Sequence, residues 1–242
     1  MNTEIKIFPT PYELAEKFAG EFVEMIAESA KMKLYMTVAL SGGSTPELLF
    51  SVLGDRYSES VPWEYVHFFW GDERCVAPDD KESNYGMTRR KLFEKINIPS
   101  INIHRIKGED EPEKEALRYS EEINAFTASR GGIPRFNLIM LGLGEDGHTV
   151  SIFPGQEELF NSDRICEVSV HPVTQQKRIT ITGRIINNAD SVVFFVTGRK
   201  KAKIIQKIIQ KSSSSEDFPA SYVDPSAGVL RWLIDEDSGC LL

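Results

Sequence analysis

Cysteine is scarce in this sequence: only Cys75, Cys166 and Cys240 occur, far apart, in a chain of 242 residues. An odd and scattered set argues against a disulfide framework and fits a reducing compartment. Long apolar runs are also absent, and the first six residues lack the charged-then-apolar order of a secretion signal. These absences predict a soluble, cytoplasmic protein.

An excess of positive charge is missing too. Lysine and arginine number 28 against 36 aspartate and glutamate residues, which gives a net charge of −8. Nucleic acids and anionic membranes repel an acidic protein, so neither is expected as a partner. A local cluster of cations could still bind a small anion.

The common signatures of three enzyme classes are absent as well. No histidine stands at metal-ligand spacing from another histidine or a cysteine. A G-x-S-x-G nucleophile turn and a Walker A loop are both missing. The sequence therefore gives no support for a zinc enzyme, a covalent serine esterase or an NTPase. The histidines are His67, His104, His148 and His171.

Short apolar runs alternate with amphipathic helical patterns along the whole chain. Hydrophobic residues make up 41% and charged residues 26%, a composition typical of globular proteins. Neither an internal repeat nor a separating linker is visible. We therefore predict a single α/β domain over residues 1–242, with a mainly parallel, Rossmann-like sheet and helices on both faces. The clearest predicted strands are Ile5–Phe8, Tyr35–Leu40, Trp63–Trp70, Phe136–Leu141 and Ser191–Val196.

The turn after the fourth of these strands organises the predicted site. Gly142, Gly144 and Gly147 surround Asp146, and His148 comes next. In an open α/β sheet the chemistry collects at the carboxyl ends of the strands, and a histidine there can titrate near neutral pH. We interpret His148 as the reactive residue, with Asp146 beside it. A tight glycine turn without chemistry is the alternative interpretation.

The same glycines also spell G-x-G-x-x-G, a pattern that can bind the pyrophosphate of a dinucleotide. Three features disfavour this alternative. Glu145 and Asp146 would repel phosphates, and Pro154 would interrupt the long helix that the motif should begin. The acid expected to end the following strand is out of place, because Asp163 precedes the apolar run 165–170.

A second glycine turn follows the strand that ends at Leu40. Gly42 and Gly43 would allow a ligand to approach the backbone closely, and Thr45 could cap a helix whose first residue is Pro46. The free N–H groups and the dipole at such a helix start attract anions. We interpret the turn as a phosphate or carboxylate site. A capped turn of purely structural character is the alternative.

Charged residues follow two further strands. The segment 72–74, Asp-Glu-Arg, comes after the run that ends at Trp70, and it is either a solvated loop or part of a site that holds acids and a cation. The basic segment 199–201 follows the strand that ends at Val196 and precedes a helix. Basic residues at a helix start oppose the helix dipole, which a bound anion would offset. A solvated basic cluster is the alternative for this segment.

Six short motifs occur in order between residues 41 and 221, most of the chain. They are Ser41–Pro46, Gly71–Arg74 with Ser83–Tyr85, Gly142–Pro154, Arg178–Thr180, Thr197–Ala202 and Pro219–Ser221. Each motif alone is weak, but together and in this order they resemble the 6-phosphogluconolactonase family. That family shares its fold with the glucosamine-6-phosphate deaminases and isomerases.

The resemblance implies hydrolysis of 6-phospho-D-glucono-1,5-lactone to 6-phosphogluconate, a step of the pentose phosphate pathway. It implies neither a metal nor an organic cofactor, and it implies a monomer. By motif match, His148 would be the general base that draws a proton from water, and Asp146 would hold and polarise it. Arg74 would stabilise negative charge on the lactone oxygen or on the product carboxylate.

The match also assigns the contacts with the phosphorylated sugar lactone. The backbone amides of Gly43, Ser44 and Thr45 would bind the phosphate, and Lys201 would be its counter-charge. Which basic residue meets the phosphate and which meets the carboxylate stays open. The residues assigned to substrate binding are Gly42, Gly43, Ser44, Thr45, Asp72, Arg178 and Lys201.

Two other functions share parts of this pattern. In the deaminases a glutamate that assists ring opening stands where this chain has Phe153, which cannot move a proton, and a tyrosine stands in place of Arg74. A non-catalytic sugar-phosphate sensor would usually carry an added DNA-binding segment, and no basic arm is visible here. The intact pair of His148 and Asp146 favours an enzyme over a sensor.

Overall fold

The computed structural model of the chain describes residues 2–211 and 218–242. A predicted serine-rich loop, 212–217, lies outside the described residues. The strands are β1 (Asn2–Phe8), β2 (Met36–Leu40), β3 (Val66–Trp70), β4 (Asp72–Arg74), β5 (Ala128–Arg130), β6 (Ile133–Arg135), β7 (Leu138–Leu141), β8 (Cys166–Val170), β9 (Lys177–Ile181), β10 (Ser191–Val196) and β11 (Val229–Asp235). The helices are α1 (Pro11–Lys31), α2 (Ser44–Arg56), α3 (Asn84–Thr88), α4 (Pro112–Phe126), α5 (Gly183–Ile186), α6 (Ala202–Ile209) and α7 (Glu236–Gly239).

Six strands form the central sheet, in the order β1-β11-β10-β7-β2-β3. Every neighbouring pair in this sheet is parallel. Both β2 and β7 are buried along their whole length, as expected for parallel strands covered by helices. The predicted fold class, an α/β fold with a mainly parallel sheet flanked by helices, is confirmed.

The sequence Thr10-Pro11-Tyr12-Glu13 predicts a helix start with Thr10 as the N-cap residue, and helix α1 begins there. Thr10 is the N-cap residue, its hydroxyl accepts the Glu13 N–H at 3.1 Å, and Pro11 occupies the first helical position. No helix in the described part of the chain is long and apolar enough to cross a membrane. The large apolar side chains that α1 buries are Leu14, Phe18, Phe22 and Ile26.

A second, antiparallel sheet of three strands, β4-β9-β8, lies beside the carboxyl end of β3. The sequence predicts strands over 165–170 and 178–182; β8 starts one residue later than predicted, and β9 starts and ends one residue earlier. It does not predict that β4 pairs with β9. That pairing sets Arg74 directly opposite Arg178, and so it joins two motifs that are distant in sequence.

The start of α2 differs from the prediction. Thr45 does not cap this helix, because α2 begins at Ser44 and Gly43 is the N-cap residue, with φ at 101°. Glycine adopts such a positive φ readily, whereas other residues rarely do. The turn after β2 therefore depends on the backbone of Gly43. The Thr45 hydroxyl instead lies 2.8 Å from the hydroxyl of Thr197, which follows β10.

Candidate active site

Strands β2, β3, β7 and β10 lead at their carboxyl ends into one open cleft of about 270 Å³. The cleft brings together the glycine turns, the Asp-Glu-Arg segment and the basic segment that the sequence singles out. Asp146 reaches it through its contact with His148. The other predicted site residues all line the cleft: Gly42, Gly43, Ser44, Thr45, Asp72, Arg74, His148, Arg178 and Lys201.

His148 and Asp146 form a hydrogen-bonded pair at the end of β7. The Nδ1 atom of His148 lies 2.6 Å from Oδ1 of Asp146, and the backbone N–H of His148 donates to the same oxygen at 3.2 Å. Burial favours a higher pKa for Asp146, but hydrogen bonds and charge from His148 outweigh it and lower this pKa to about 2. Asp146 is therefore an anion at neutral pH.

This pairing determines which nitrogen of His148 can accept a proton. An ionised carboxylate only accepts hydrogen bonds, so Nδ1 of His148 carries a hydrogen and Nε2 keeps its lone pair when the ring is neutral. The ring centroid of Phe153 lies 4.7 Å from that of His148, and Phe153 is fully buried. The imidazole is thus held by a carboxylate at one nitrogen and by a packed aromatic ring on its side.

Gly144 lies directly against this pair. A Cβ atom built on Gly144 would be 2.1 Å from Nδ1 of His148 and 2.4 Å from Oδ1 of Asp146. Such distances are far below van der Waals contact, so only glycine leaves room for the hydrogen bond. A Cβ atom built on Gly142 would have its nearest contact with the hydroxyl of Ser41, 3.5 Å away. This is an ordinary van der Waals distance, so a methyl group fits there.

Two arginines face each other across the antiparallel sheet. Arg74 on β4 is the register partner of Arg178 on β9, and like charges directly opposite each other destabilise a strand pair. Among the described residues, the buried Nε atoms of both arginines have no hydrogen-bond partner. Burial lowers the pKa of Arg178, nearby Asp72 opposes this shift, and Arg74 adds to it. An anionic group bound in the cleft would relieve the repulsion between the two guanidinium groups.

The opposite end of the cleft has the features of an anion site. The N-terminus of α2, where the first N–H groups have no acceptor within the helix, lines the cleft at Ser44 and Thr45. Lys201 also lines the cleft, and burial lowers its pKa, while Glu145 and Asp146 act in the opposite direction. The contact between Thr45 and Thr197 ties the start of α2 to the segment that leads to Lys201.

Asp72 is a buried carboxylate in the wall of the cleft. One of its oxygens accepts from the hydroxyl of Ser151 at 2.6 Å, and its backbone carbonyl accepts from the side chain of Asn84 at 2.9 Å. Its exposed fraction is 5%. Asp72 is predicted from the sequence, whereas Ser151 and Asn84, which hold it in place, are not. Asn84 lies within the motif Ser83–Tyr85 and Ser151 within the motif Gly142–Pro154, and membership of these motifs was the available signal.

Glu73, which sequence reasoning did not assign, holds the loop behind Asp72. Its carboxylate accepts hydrogen bonds from the backbone N–H groups of Arg74, Asn84 and Tyr85 and from the hydroxyl of Ser83, at 2.8–3.0 Å. Its exposed fraction is 2%. Burial raises the pKa of Glu73, and these hydrogen bonds work against that rise. The carboxylate is a structural clamp between β4 and α3.

Replacing Glu73 with alanine is expected to lower the free energy of unfolding by about 3 kcal/mol or more, because several buried donors lose their acceptor. Chemical denaturation monitored by circular dichroism measures this. The comparison variant is Ser83→Ala, which removes one of the four donors and also the N-cap acceptor of the Gly86 N–H, and it is expected to cost about 1–2 kcal/mol. Equal stability of the Glu73 variant and the wild-type protein would contradict the clamp.

Within residues 2–211 and 218–242, no group of three or more His, Cys, Asp or Glu side chains is arranged so that it could hold a metal ion. The cleft presents a carboxylate-held imidazole, two guanidinium groups and the N-terminus of a helix.

Known proteins resemble this chain over nearly its full length. The family model described as glucosamine-6-phosphate isomerases/6-phosphogluconolactonase matches residues 9–232. A 6-phosphogluconolactonase of Aggregatibacter actinomycetemcomitans is 40% identical over 97% of this chain and 98% of that protein, and one of Haemophilus influenzae is 39% identical with the same coverage. A solved structure of 6-phosphogluconolactonase from Trypanosoma brucei superposes with a TM-score of 0.87, at 27% identity over 97% of each chain.

Proposed function

The chain belongs to the family of glucosamine-6-phosphate isomerases and 6-phosphogluconolactonases, and we infer that it hydrolyses 6-phospho-D-glucono-1,5-lactone to 6-phosphogluconate. The observation that carries this inference is its 39–40% identity to two bacterial 6-phosphogluconolactonases over 97% of its length. The reaction belongs to the oxidative part of the pentose phosphate pathway. The geometry of the cleft supports specific roles for its residues.

We propose that His148 is the general base. Its Nε2 lone pair takes a proton from water, and the water oxygen forms a bond to the lactone carbonyl carbon, C1. Asp146 keeps the required tautomer and stabilises the imidazolium that results. Arg74 offers hydrogen bonds to the oxyanion at C1. When the bond from C1 to the ring oxygen breaks, the proton on His148 passes to that oxygen, and the open-chain acid is released.

We propose that the substrate phosphate binds at the start of α2. The backbone N–H groups of Gly43, Ser44 and Thr45 would donate hydrogen bonds to the phosphate oxygens, with Lys201 as the counter-charge. Gly42 must lack a side chain because a Cβ there would lie 1.9 Å from an oxygen of Asn84. Two further contacts complete the proposed site: Asp72 would accept from sugar hydroxyls, and Arg178 would bind a substrate oxygen.

The deaminase alternative finds no support in the site. It needs a carboxylate where Phe153 stands, and Phe153 is fully buried against His148. A solved glucosamine-6-phosphate deaminase matches this chain at only 21% identity with a TM-score of 0.83, which shows a shared fold. A protein that only binds sugar phosphates would not need the hydrogen-bonded pair of His148 and Asp146.

A coupled assay tests the proposed function. Glucose-6-phosphate dehydrogenase generates the lactone, and 6-phosphogluconate dehydrogenase reports the product, with and without this protein. We expect product to form far above the spontaneous rate of lactone hydrolysis. A rate no faster than the background would overturn the proposal, and glucosamine 6-phosphate would then be assayed as the alternative substrate.

Lys201→Ala is expected to raise the Michaelis constant at least about 10-fold and to leave kcat nearly unchanged. The phosphate does not react, so its binding is shared by the ground state and the transition state. Lys200→Ala is the matched control, since Lys200 is 82% exposed and pairs only loosely, at 3.8 Å, with Glu145. If the Lys201 variant kept the wild-type Michaelis constant, the phosphate site would have to lie elsewhere.

We also propose that the enzyme acts as a monomer in the cytoplasm, as the family resemblance implies. Light scattering coupled to size-exclusion chromatography measures its mass in solution. A mass near 27.3 kDa would agree with a monomer, and a mass near twice this value would contradict it.

A further inference from the structure

Asp235 is a buried carboxylate that the mechanism above does not use. It is the last residue of β11, the strand between β1 and β10, and its exposed fraction is 2%. Its Oδ1 and Oδ2 atoms accept the backbone N–H of Gly198 at 3.0 and 3.2 Å, and Oδ1 also accepts the backbone N–H of Ser238 at 2.9 Å. The carboxylate therefore connects the start of α7 with the turn that follows β10.

Gly198 begins the turn that carries Lys201. Its φ of 93° lies in a region that glycine adopts readily, and it is the N-cap residue of a single turn of 3-10 helix, Arg199–Lys201. The carbonyl of Gly198 accepts the backbone N–H of Lys201 at 3.0 Å, and α6 follows directly. Because its N–H is bound by Asp235, Gly198 fixes the backbone of Lys201 relative to β11.

The same turn also contacts the proposed phosphate site from the other side. Thr197, the residue before Gly198, lines the cleft, and its hydroxyl lies 2.8 Å from that of Thr45 at the start of α2. Lys201 lines the same cleft as the start of α2. A shift of the turn would therefore change the distance between Lys201 and a phosphate bound at α2.

We propose that Asp235 is a positioning residue for phosphate binding: by holding the N–H of Gly198, it fixes the turn that places Lys201 in the cleft. The inference rests on the proposed function, which assigns the substrate phosphate to the start of α2 and to Lys201. Asp235 is buried, and its effect on the substrate passes through Lys201. The phosphate does not react, so its binding is shared by the ground state and the transition state, and the loss of Asp235 raises the Michaelis constant without changing kcat.

Asp235→Asn tests the contact with little change in shape. Asparagine is as good an N-cap residue as aspartate, so the start of α7 is retained. One of the two atoms that face the N–H of Gly198 becomes an NH2 donor, which weakens this contact. The control is Ser238→Ala, which removes a buried hydroxyl that donates to the Val196 carbonyl at 2.9 Å and leaves the carboxylate and its contact with Gly198 in place.

We expect Asp235→Asn to raise the Michaelis constant about 3- to 10-fold, the size of one hydrogen bond, with kcat within twofold of wild type. Ser238→Ala is expected to keep the wild-type Michaelis constant even though its Tm falls. A wild-type Michaelis constant in Asp235→Asn would overturn the proposal. An equal rise in Ser238→Ala would also overturn it, because the effect would then follow stability alone.

A double variant shows whether the effect passes through Lys201. In a chain that already carries Lys201→Ala, the turn has no lysine left to place, so adding Asp235→Asn is expected to change the Michaelis constant by less than twofold. Independent effects would instead multiply, and that outcome would remove Lys201 from the proposed connection.

Gly198→Ala approaches the same turn while Asp235 stays intact, and it serves equally if Asp235→Asn does not fold. A Cβ atom on Gly198 would meet nothing within 4 Å, but alanine disfavours a φ of 93°, so the turn must shift. The matched control is Gly132→Ala in the turn between β5 and β6, where φ is 77° and the space is also open. We expect a 3- to 10-fold higher Michaelis constant in Gly198→Ala only. Equal Michaelis constants in these two variants would contradict the proposal.

Titration calorimetry with 6-phosphogluconate keeps this test independent of catalysis. If the wild-type protein fails to hydrolyse the lactone, the proposed function falls, but binding of 6-phosphogluconate to wild type and to Asp235→Asn still tests the positioning of Lys201. A 3- to 10-fold weaker affinity in Asp235→Asn supports it. Equal affinities, or no binding to the wild-type protein, overturn it.

Discussion

Replacing His148 with alanine is expected to lower kcat by at least about 10²-fold while the fold stays intact. Positioned general-base catalysis typically contributes about 10²–10⁴-fold, and this imidazole is the one that Asp146 orients with a free Nε2 lone pair. The proposed phosphate site lies at the start of α2 and does not include His148, so the Michaelis constant should change little. Asp146 and Phe153 hold the imidazole in one orientation. The loss of turnover therefore reports the removal of the general base itself.

The coupled assay described above measures this loss against the spontaneous hydrolysis of the lactone, and circular dichroism checks the fold. Lys201→Ala provides a useful contrast, since it is expected to act on the Michaelis constant alone. A His148→Ala enzyme that retained near-full turnover would remove His148 from the mechanism.

Gly144→Ala is expected to lower kcat by a similar factor, about 10²-fold or more, although neither His148 nor Asp146 is substituted. The new methyl group would lie 2.1 Å from Nδ1 of His148 and 2.4 Å from Oδ1 of Asp146, so the two side chains must separate. The side chains of His148 and Asp146 are both partly exposed, so they can rotate away from the new methyl group. The cost therefore falls on activity, and the Tm should change little.

The matched control for this substitution lies two residues earlier in the same loop. Gly142→Ala introduces the same methyl group, but its nearest contact is 3.5 Å from the Ser41 hydroxyl, so activity should stay within a few-fold of wild type. Steady-state kinetics and thermal unfolding of both variants form the test. Equal losses in the two variants would show that the loop tolerates no side chain anywhere, and the specific contact with the pair would be refuted.

Much of the fold was predictable because its signals are local. The apolar run that becomes β7 is short and bounded by glycines, and the capping pattern at Thr10 and Pro11 depends only on adjacent residues. The same holds for the pair of Asp146 and His148, which lie two residues apart and meet within one turn. The parallel sheet followed from the alternation of such segments.

The rest depended on contacts between distant segments, which a single sequence does not reveal. The register that sets Arg74 against Arg178 comes from the pairing of β4 with β9. Thr45 satisfied the local rule for a helix cap, yet its hydroxyl meets Thr197, 152 residues away, while the positive φ of Gly43 begins the helix. The position of His171 beside Phe153 likewise follows from the antiparallel sheet.

The place of β1 in the sheet has a consequence for the synthesis of this protein. Within the described residues β1 pairs only with β11, and Glu4 and Arg231, which form an ion pair across these strands, lie 227 residues apart in the chain. β1 therefore leaves the ribosome long before β11, the strand with which it pairs. Contacts of such long range slow folding, and an unpaired strand edge can join the wrong partner in the meantime. β1 therefore stays unpaired until β11 has been synthesised. A chaperone that binds β1, with its apolar residues Ile5 and Ile7, during this time would prevent it from pairing with other chains.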